Sequence, residues 1–305
     1  MFGHNEDGTV FSWQKPSIYS KQKGRRIRLK HVKLITDSAG DINKDLCGKF
    51  TRVPLAIRVG DREFVDDEEL DLKELLRAMK ESTEAPKTAS PSPWDFLREY
   101  TGEDCVFVVT ISSQLSGSYA NAVLAAEMAR KKKLTRFVHV FDSKNATVGQ
   151  TLVTLKVLEL IEEKRAETEI VEEVNDYIEN LNTYGFLESI DNLVKSGRVS
   201  KMMARLGSAL NIRLVFGRSP EGTIDLVEKV RGTKRAMQKL VDLIAETGSN
   251  LEKKICGIAH INCFEKAQQL YDKIRERFNF KDVIIFDGSG ITTVYGNEGG
   301  LVIAF

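Results

Sequence analysis

The sequence predicts an α/β protein with a parallel α/β domain followed by an α+β domain. At about 150 residues per domain, a chain of 305 residues is long enough for two domains. Cys105–Ile111 is an unbroken apolar run, typical of a strand buried on both faces, and a helix and the strand Phe137–Phe141 follow it. Strand, helix and strand in this order form a βαβ unit with parallel strands. Later, Ile212–Phe216 and Ile224–Val230 flank a Ser-Pro-Glu-Gly turn, which predicts an antiparallel hairpin.

The other elements follow from hydrophobic periodicity and from the residues that begin or end them. Acidic residues at 66–69 favour a helix N-terminus, and two prolines in Thr88–Pro93 indicate a loop. The predicted strands are 32–36, 53–59, 105–111, 137–141, 184–187, 212–216, 224–230, 254–259, 283–286 and 301–305. The predicted helices are 42–49, 70–80, 94–100, 118–130, 151–164, 170–182, a short one ending at 195, 233–246 and 264–278. Residues 288–300 are predicted to be a glycine-rich loop.

The composition is that of a globular cytoplasmic protein. Apolar residues make up 42% and charged residues 29%, which excludes a disordered chain, a fibre and a disulfide-stapled miniprotein. No apolar run approaches the roughly 20 residues that span a bilayer, and we expect no secretion signal. The four cysteines form no CxxC pair and are expected to be reduced core residues.

The charge is distributed unevenly along the chain. Residues 1–33 carry eight Lys/Arg against Glu6 and Asp7, a balance of +6, whereas the whole chain is +1 and the remaining residues therefore sum to −5. An acidic body argues against a nucleic acid as partner. Residues 1–30 are predicted to be a basic extension, either solvated or in transient contact with an acidic partner or a membrane surface.

Two hydroxyl-rich loops are the strongest candidates for a binding site. Ser112–Ser118 lies between a buried strand and a helix, where open α/β sheets bind ligands and where helix N–H groups favour an anion. Simple helix capping by serine explains this turn equally well. The loop Thr88–Pro93 offers three more hydroxyls.

Motifs for catalysis are missing from the sequence. We find no GxSxG elbow, no GxxxxGK[ST] phosphate loop and no GxGxxG after the first strand. His260 has no second ligand pair, so it is expected to pack at a strand end and no metal site is predicted. Arg198 and Arg231 could contact an anion or a partner, although isolated arginines are usually solvated. The sequence therefore favours a binding protein over a catalyst.

Eight segments together resemble the DegV family, the fatty-acid-binding subunits of bacterial fatty acid kinase. They occur in the family's order and cover about residues 32–305. They are LITDSAGD, RVPLAIRVGDREFVDD, KTASPSP, ISSQLSGSYANA, VFDSKNATVGQ, NLVKSGRVS, EKVRGTKRAM and the closing glycine-rich loop.

The resemblance implies two domains, 31–155 and 156–305, with an apolar tunnel that holds one long-chain fatty acid and needs no cofactor. It implies that Thr88 and Ser116 hold the carboxylate at the tunnel opening, where a separate ATP-dependent kinase phosphorylates it. Arg198 and Arg231 match the family's arginines for kinase coupling. The wider set of expected ligand-binding residues adds Ser90, Gly117, Ser118, Tyr295 and Asn297.

The chain departs from the family pattern in the closing loop. Val294 stands where the family carries a histidine that contacts the carboxylate, and Glu298 places a negative charge nearby. Three hypotheses follow. The chain is a fatty-acid carrier that serves a kinase, or a carrier or sensor of another amphipathic ligand without kinase coupling, or a regulatory protein whose basic extension docks a partner or an anionic membrane.

Overall fold

Three β-sheets organise the residues that the computed structural model describes, which are 31–102, 104–199 and 211–305. The predicted extension 1–30 lies outside them. The strands are β1 (Val32–Asp37), β2 (Thr51–Val53), β3 (Ala56–Val59), β4 (Arg62–Val65), β5 (Lys87–Ala89), β6 (Cys105–Thr110), β7 (Phe137–Asp142), β8 (Thr183–Leu187), β9 (Ile212–Arg218), β10 (Ile224–Arg231), β11 (Ile255–His260), β12 (Asp282–Asp287) and β13 (Leu301–Ala304).

Helices cover these sheets and connect most of their strands. They are α1 (Leu72–Glu81), α2 (Pro93–Tyr100), α3 (Ser118–Lys132), α4 (Thr147–Glu162), α5 (Glu167–Asn180), α6 (Asp191–Lys195), α7 (Thr233–Thr247), α8 (Phe264–Arg277) and α9 (Gly290–Gly296). Two short 3₁₀ turns lie at Lys44–Leu46 and Leu251–Lys253.

The first sheet is parallel, with strand order β2-β1-β6-β7. All six residues of β6 are buried, as its continuous apolar sequence predicts for a central strand. Helix α3 connects β6 to β7, and this confirms the predicted βαβ unit. The carboxyl ends of β1, β6 and β7 therefore meet at one edge, and the loops after them lie side by side.

The second sheet is mixed, with strand order β10-β9-β8-β13-β11-β12. Strands β9 and β10 form the predicted antiparallel hairpin, whereas β11 and β12 are parallel. The terminal strand β13 pairs antiparallel with both β8 and β11 in the middle of the sheet. An α+β half is therefore confirmed.

Helix α4 lies between the two sheets and contacts β1 and β6 on one side and β11 and β13 on the other. Gly257 of β11 permits this approach, because a Cβ there would lie 2.3 Å from a methyl of Val148. One apolar core spans both halves across this helix. The predicted domain boundary, between residues 155 and 156, falls inside α4, and the division stays a prediction.

Several expected elements differ in the structure. The strand predicted at 53–59 is split at Pro54, so that β2 joins the parallel sheet and β3 joins a small antiparallel sheet with strand order β4-β3-β5. Strands β4 and β5 were missed because three or four residues are too short for a clear alternation. The closing segment is not only a loop, since it contains α9. The four cysteines are free, but Cys47 is exposed and is therefore no core residue.

Candidate functional site

A cavity of about 110 Å³ lies between the parallel sheet and the six-stranded sheet, with α9 along one side. Residues from all three elements form its wall, among them Ala39, Ile111, Phe216, Ile291, Tyr295 and Val302. Leu187, Leu193 and Ile261 add further apolar wall from the shared core. The cavity is thus an apolar chamber bordered by the loops at the carboxyl edge of the parallel sheet.

The serine turn after β6 reaches the cavity through Leu115. Ser116 is half-buried, and its Oγ accepts a hydrogen bond from the backbone N–H of Ser118 at 3.2 Å, which leaves the Ser116 hydroxyl able to donate. Gly117 precedes the first residue of α3 and has no side chain to cap the helix. A hydroxyl donor therefore lies beside the N-terminus of a 15-residue helix.

Ser118 is held by contacts within the fold, and its expected role in ligand binding stays a prediction. It is fully buried, and its hydroxyl donates to Oδ2 of Asp37 at 2.5 Å. The Asp37 carboxylate also accepts from the N–H of Ile111 and from Nε2 of Gln150. Burial raises the pKa of Asp37, and these hydrogen bonds oppose the rise. Ser118 and Asp37 thus hold the serine turn against β1 and α4.

The loop at 88–93 packs against the serine turn. Nδ2 of Asn121, on α3, donates to the carbonyl of Pro91 at 2.8 Å and to Oγ of Ser90 at 3.3 Å. A Cβ on Gly117 would lie 3.5 Å from the Ser90 hydroxyl, so the two loops touch. The structure therefore brings both hydroxyl-rich segments together. Asn121 was missed because its role depends on contacts 30 residues away in sequence.

Thr88 and Tyr295 meet at the end of the cavity. Their hydroxyl oxygens are 2.6 Å apart, although the residues are 207 positions apart in the chain. Thr88 lies on β5, where it pairs with Ile57, and Tyr295 lies on α9. Tyr295 lines the cavity, whereas Thr88 contacts the tyrosine hydroxyl without lining the cavity itself. The pair places two hydroxyls beside the apolar chamber.

Arg198 completes this end of the cavity. Its guanidinium lies 4.7 Å from the centre of the Tyr295 ring, within cation–π distance, and its Nε donates to the carbonyl of Leu115 at 2.8 Å. Arg198 therefore links α9 to the serine turn and belongs to the cavity wall. Arg231, in contrast, is exposed at the end of β10 and is not part of the wall. The structure separates the two arginines that the sequence analysis treated alike.

Three further positions of the closing segment are held by contacts within the protein. Val294 is fully buried in the core beneath α9 and does not line the cavity. The Asn297 side chain is hydrogen-bonded to α6 and to the segment before it. Its Oδ1 accepts from Asn192, and its Nδ2 donates to the carbonyl of Ser189. Glu298 binds Lys80 at 2.8 Å on the surface and so keeps its charge away from the chamber. Tyr295 and Thr292 are the α9 residues with hydroxyl groups in the cavity wall, and the Thr292 hydroxyl donates to Asp41.

Two buried carboxylates hold the start of α9, and sequence reasoning missed both. The Asp66 carboxylate accepts from the N–H groups of Gly290 and Ile291, at 2.8 and 3.2 Å. Oδ1 of Asp41 accepts from the N–H of Ser289 at 2.8 Å and from the hydroxyl of Thr292 at 2.6 Å. Only a glycine fits at position 290, since a Cβ there would lie 2.7 Å from Asp66 and 2.5 Å from Leu70.

Burial raises the pKa of both carboxyl groups above the usual range. The pKa of Asp41 rises to about 6, chiefly through desolvation, with a smaller contribution from the nearby charge of Asp66. The pKa of Asp66 is raised by burial, while Arg52 opposes the rise. A buried carboxylate is costly unless it is hydrogen-bonded, so the four bonds to the start of α9 offset part of that cost.

The described residues hold no cluster of three or more His, Cys, Asp or Glu side chains suited to a metal ion. His260 is buried at the end of β11, where its Nε2 lies 3.1 Å from Asp287, as its strand-end position predicted. No helix in this part of the chain is long and apolar enough to cross a membrane.

Comparison with known proteins decides the family. The DegV model, described as "Uncharacterised protein, DegV family", matches residues 31–305. The chain belongs to the DegV family. A DegV domain-containing protein of Streptococcus pneumoniae is 36% identical over 277 residues, which cover 90% of this chain and 98% of the relative. Residues 1–30 lie outside the match to the DegV model.

Solved DegV structures share the fold over the same residues. A DegV family protein from Ruminococcus gnavus, with vaccenic acid, is 39% identical, with a TM-score of 0.84 over 90% of this chain and 99% of that one. The fatty acid kinase B3 protein of S. pneumoniae, loaded with linoleic acid, is 35% identical, with a TM-score of 0.82 and the same coverage. The predicted α/β fold of the DegV family is therefore confirmed.

Proposed function

We propose that this chain binds one long-chain fatty acid and presents its carboxylate to a separate ATP-dependent kinase, without catalysing the reaction itself. The observation that carries the proposal is the apolar cavity with Leu115, Arg198 and Tyr295 in its wall, where the Tyr295 hydroxyl is hydrogen-bonded to Thr88. An apolar chamber suits an acyl chain, and the polar end suits a carboxylate. The fatty acids held by the R. gnavus and S. pneumoniae proteins support the same assignment.

The acyl chain supplies most of the binding free energy in this proposal. Each buried methylene contributes about 0.8 kcal/mol, so a long chain outweighs any single headgroup contact. The carboxylate then fixes the orientation of the ligand. Ser116 and the hydrogen-bonded pair of Thr88 and Tyr295 supply its hydroxyl donors, and Arg198 supplies a positive charge 4.7 Å from the Tyr295 ring. Hydrogen bonds to a charged group are stronger than those between neutral groups.

The kinase is the proposed partner, and the support for it is the S. pneumoniae relative, a fatty acid kinase B3 protein. The chain itself carries no GxxxxGK[ST] phosphate loop. A phosphorylated carboxylate therefore requires a second protein in this proposal. Arg231 is the surface residue that we assign to that partner, because it is exposed and stands apart from the cavity wall.

The hypothesis of another amphipathic ligand rested on the valine at position 294. Tyr295 supplies a hydroxyl at the end of the cavity, next to Thr88, and this removes the reason to prefer that hypothesis. The fatty acid therefore remains the ligand that we propose.

Two measurements on the full chain test the proposal. Denaturing extraction followed by mass spectrometry should find a fatty acid in about one copy per chain, and fatty acid added to the delipidated chain should bind. Labelled ATP, magnesium and oleate should give acyl-phosphate only when a fatty acid kinase is added. A chain that retains and binds no fatty acid overturns the ligand assignment. Acyl-phosphate formed by the chain alone overturns the non-catalytic role.

A further inference from the structure

The segment α9 carries the tyrosine of the proposed headgroup site, yet its position depends on residues far from that site. It has only seven residues, too few to be stable as an isolated helix. Its N-terminal groups are bonded to Asp66 and Asp41, which lie 224 and 248 residues away in the chain. Asp66 accepts from the N–H groups of Gly290 and Ile291. Tyr295 follows these residues by five and four positions, which is about one turn of α9.

We propose that Asp66 and Asp41 are positioning residues for headgroup recognition, acting through α9 to hold the Tyr295 hydroxyl against Thr88. This inference rests on the proposed function. Asp66 comes from the segment between β4 and α1, and Asp41 from the loop after β1. The two carboxylates therefore tie α9 to the half of the chain that carries Thr88 and the serine turn.

An asparagine can replace the carboxylate of Asp41 more readily than that of Asp66. Both oxygens of Asp66 accept a backbone N–H, from Gly290 and from Ile291, so an asparagine would bring its NH₂ group against one of these donors. Oδ1 of Asp41 accepts both bonds from the start of α9, while Oδ2 is buried and has no hydrogen-bond partner among the described residues. An asparagine at position 41 keeps the acceptor that α9 uses. Asp66→Asn should thus disturb α9 more than Asp41→Asn does.

Oleic acid and its methyl ester separate headgroup recognition from tail binding. We expect Asp66→Asn to lower the affinity for the acid about 10-fold, the loss typical of one hydrogen bond to a charged group, and to change that for the ester less than about 2-fold. Asp41→Ala should act likewise, and Asp41→Asn should restore most of the loss. Asp272→Asn, at an exposed carboxylate that accepts from Gln268 on its own helix, is the matched control.

A double-mutant cycle tests whether Asp66 acts through Tyr295. The variant Asp66→Asn with Tyr295→Phe should bind the acid no more weakly than Tyr295→Phe alone, because the hydroxyl to be positioned is already gone. Equal losses for acid and ester, or losses that multiply in the double variant, overturn the positioning role. If Asp66→Asn does not fold, the comparison of Asp41→Ala with Asp41→Asn decides in the same way.

The design keeps the two proposals separate. If no variant and not even the native chain binds the acid, the proposed function fails, and the headgroup role fails with it. If the native chain binds the acid and ester with a clear preference that Asp66→Asn leaves intact, only the positioning role is overturned.

Discussion

The hydroxyl oxygens of Thr88 and Tyr295 lie 2.6 Å apart and join β5 to α9 at the end of the apolar cavity. This contact links two segments that are 207 residues apart in sequence. Either hydroxyl can donate to the other, and the one that accepts keeps its own hydrogen to donate to a carboxylate. The pair therefore places hydroxyls beside the cavity wall, at the position that we propose for the carboxylate.

Removing hydroxyls from this end should weaken fatty-acid binding with little change in folding. We expect Thr88→Val, Tyr295→Phe and Ser116→Ala each to cost about 1.5–3 kcal/mol, or roughly 10- to 150-fold in affinity for the acid. Titration calorimetry with oleic acid measures this, and thermal unfolding checks the fold. Methyl oleate is the control ligand, and its affinity should change much less. Unchanged affinity for the acid in all three variants would remove these residues from the site.

The two arginines should give different phenotypes. Arg198→Ala should lower the affinity for fatty acid, because it removes the guanidinium from Tyr295 and the hydrogen bond to Leu115. Arg231→Ala should leave binding unchanged but lower the yield of acyl-phosphate when a fatty acid kinase is supplied. Arg275→Ala, at an exposed arginine of α8, is the control for loss of a surface charge. Equal effects of Arg198→Ala and Arg231→Ala on binding would contradict this division.

Filling the chamber should shorten the acyl chain that fits. Ala146 lines the cavity, and Ala146→Leu adds three carbons there. If these displace about three methylenes of the ligand, the loss is about 2.4 kcal/mol, or roughly 50-fold, for a long chain. Short acids should lose less. Ala245→Leu, at an exposed alanine of α7, is the matched control and should bind all chain lengths as the native protein does. A loss that does not depend on chain length would place Ala146 away from the tail.

The sequence predicted the parts of the site that depend on local order. The rule that ligands bind at the carboxyl edge of a parallel sheet located the serine turn after β6, and the structure places that turn and the loop at 88–93 in contact. The apolar β6 and the Ser-Pro-Glu-Gly turn likewise predicted the parallel sheet and the hairpin, since both follow from neighbouring residues.

Other features could not be predicted because they depend on contacts between distant segments. The bond from Gly290 to Asp66 spans 224 residues, and no spacing within either segment indicates it. The same holds for the burial of Val294 and for the orientation of Tyr295, which differ by one position on a short helix. A one-residue step turns a helical side chain by about 100°, so a family pattern alone does not tell which of the two faces the cavity.

The stability of the protein should depend on pH through Asp41, and the sign follows from its raised pKa. Because the pKa of Asp41 is about 6 in the folded chain against 3.8 ordinarily, the folded state holds the proton more tightly. The contribution of this group to stability is therefore present at low pH and is lost as the pH rises from about 4 to about 6. At about 1.36 kcal/mol per pKa unit, the difference amounts to about 3 kcal/mol.

Asp41→Asn removes the titration but keeps the acceptor for Ser289 and Thr292, so it isolates this effect. The native chain should lose about 3 kcal/mol relative to this variant between pH 4 and pH 7. Asp66 lies near Asp41, and Arg52 lies near Asp66. Both residues are present in the native chain and in the variant, so subtracting the two unfolding free energies removes much of their own pH dependence. Denaturant unfolding at several pH values measures the two curves. Parallel curves over this range would show that Asp41 is not desolvated in the folded protein.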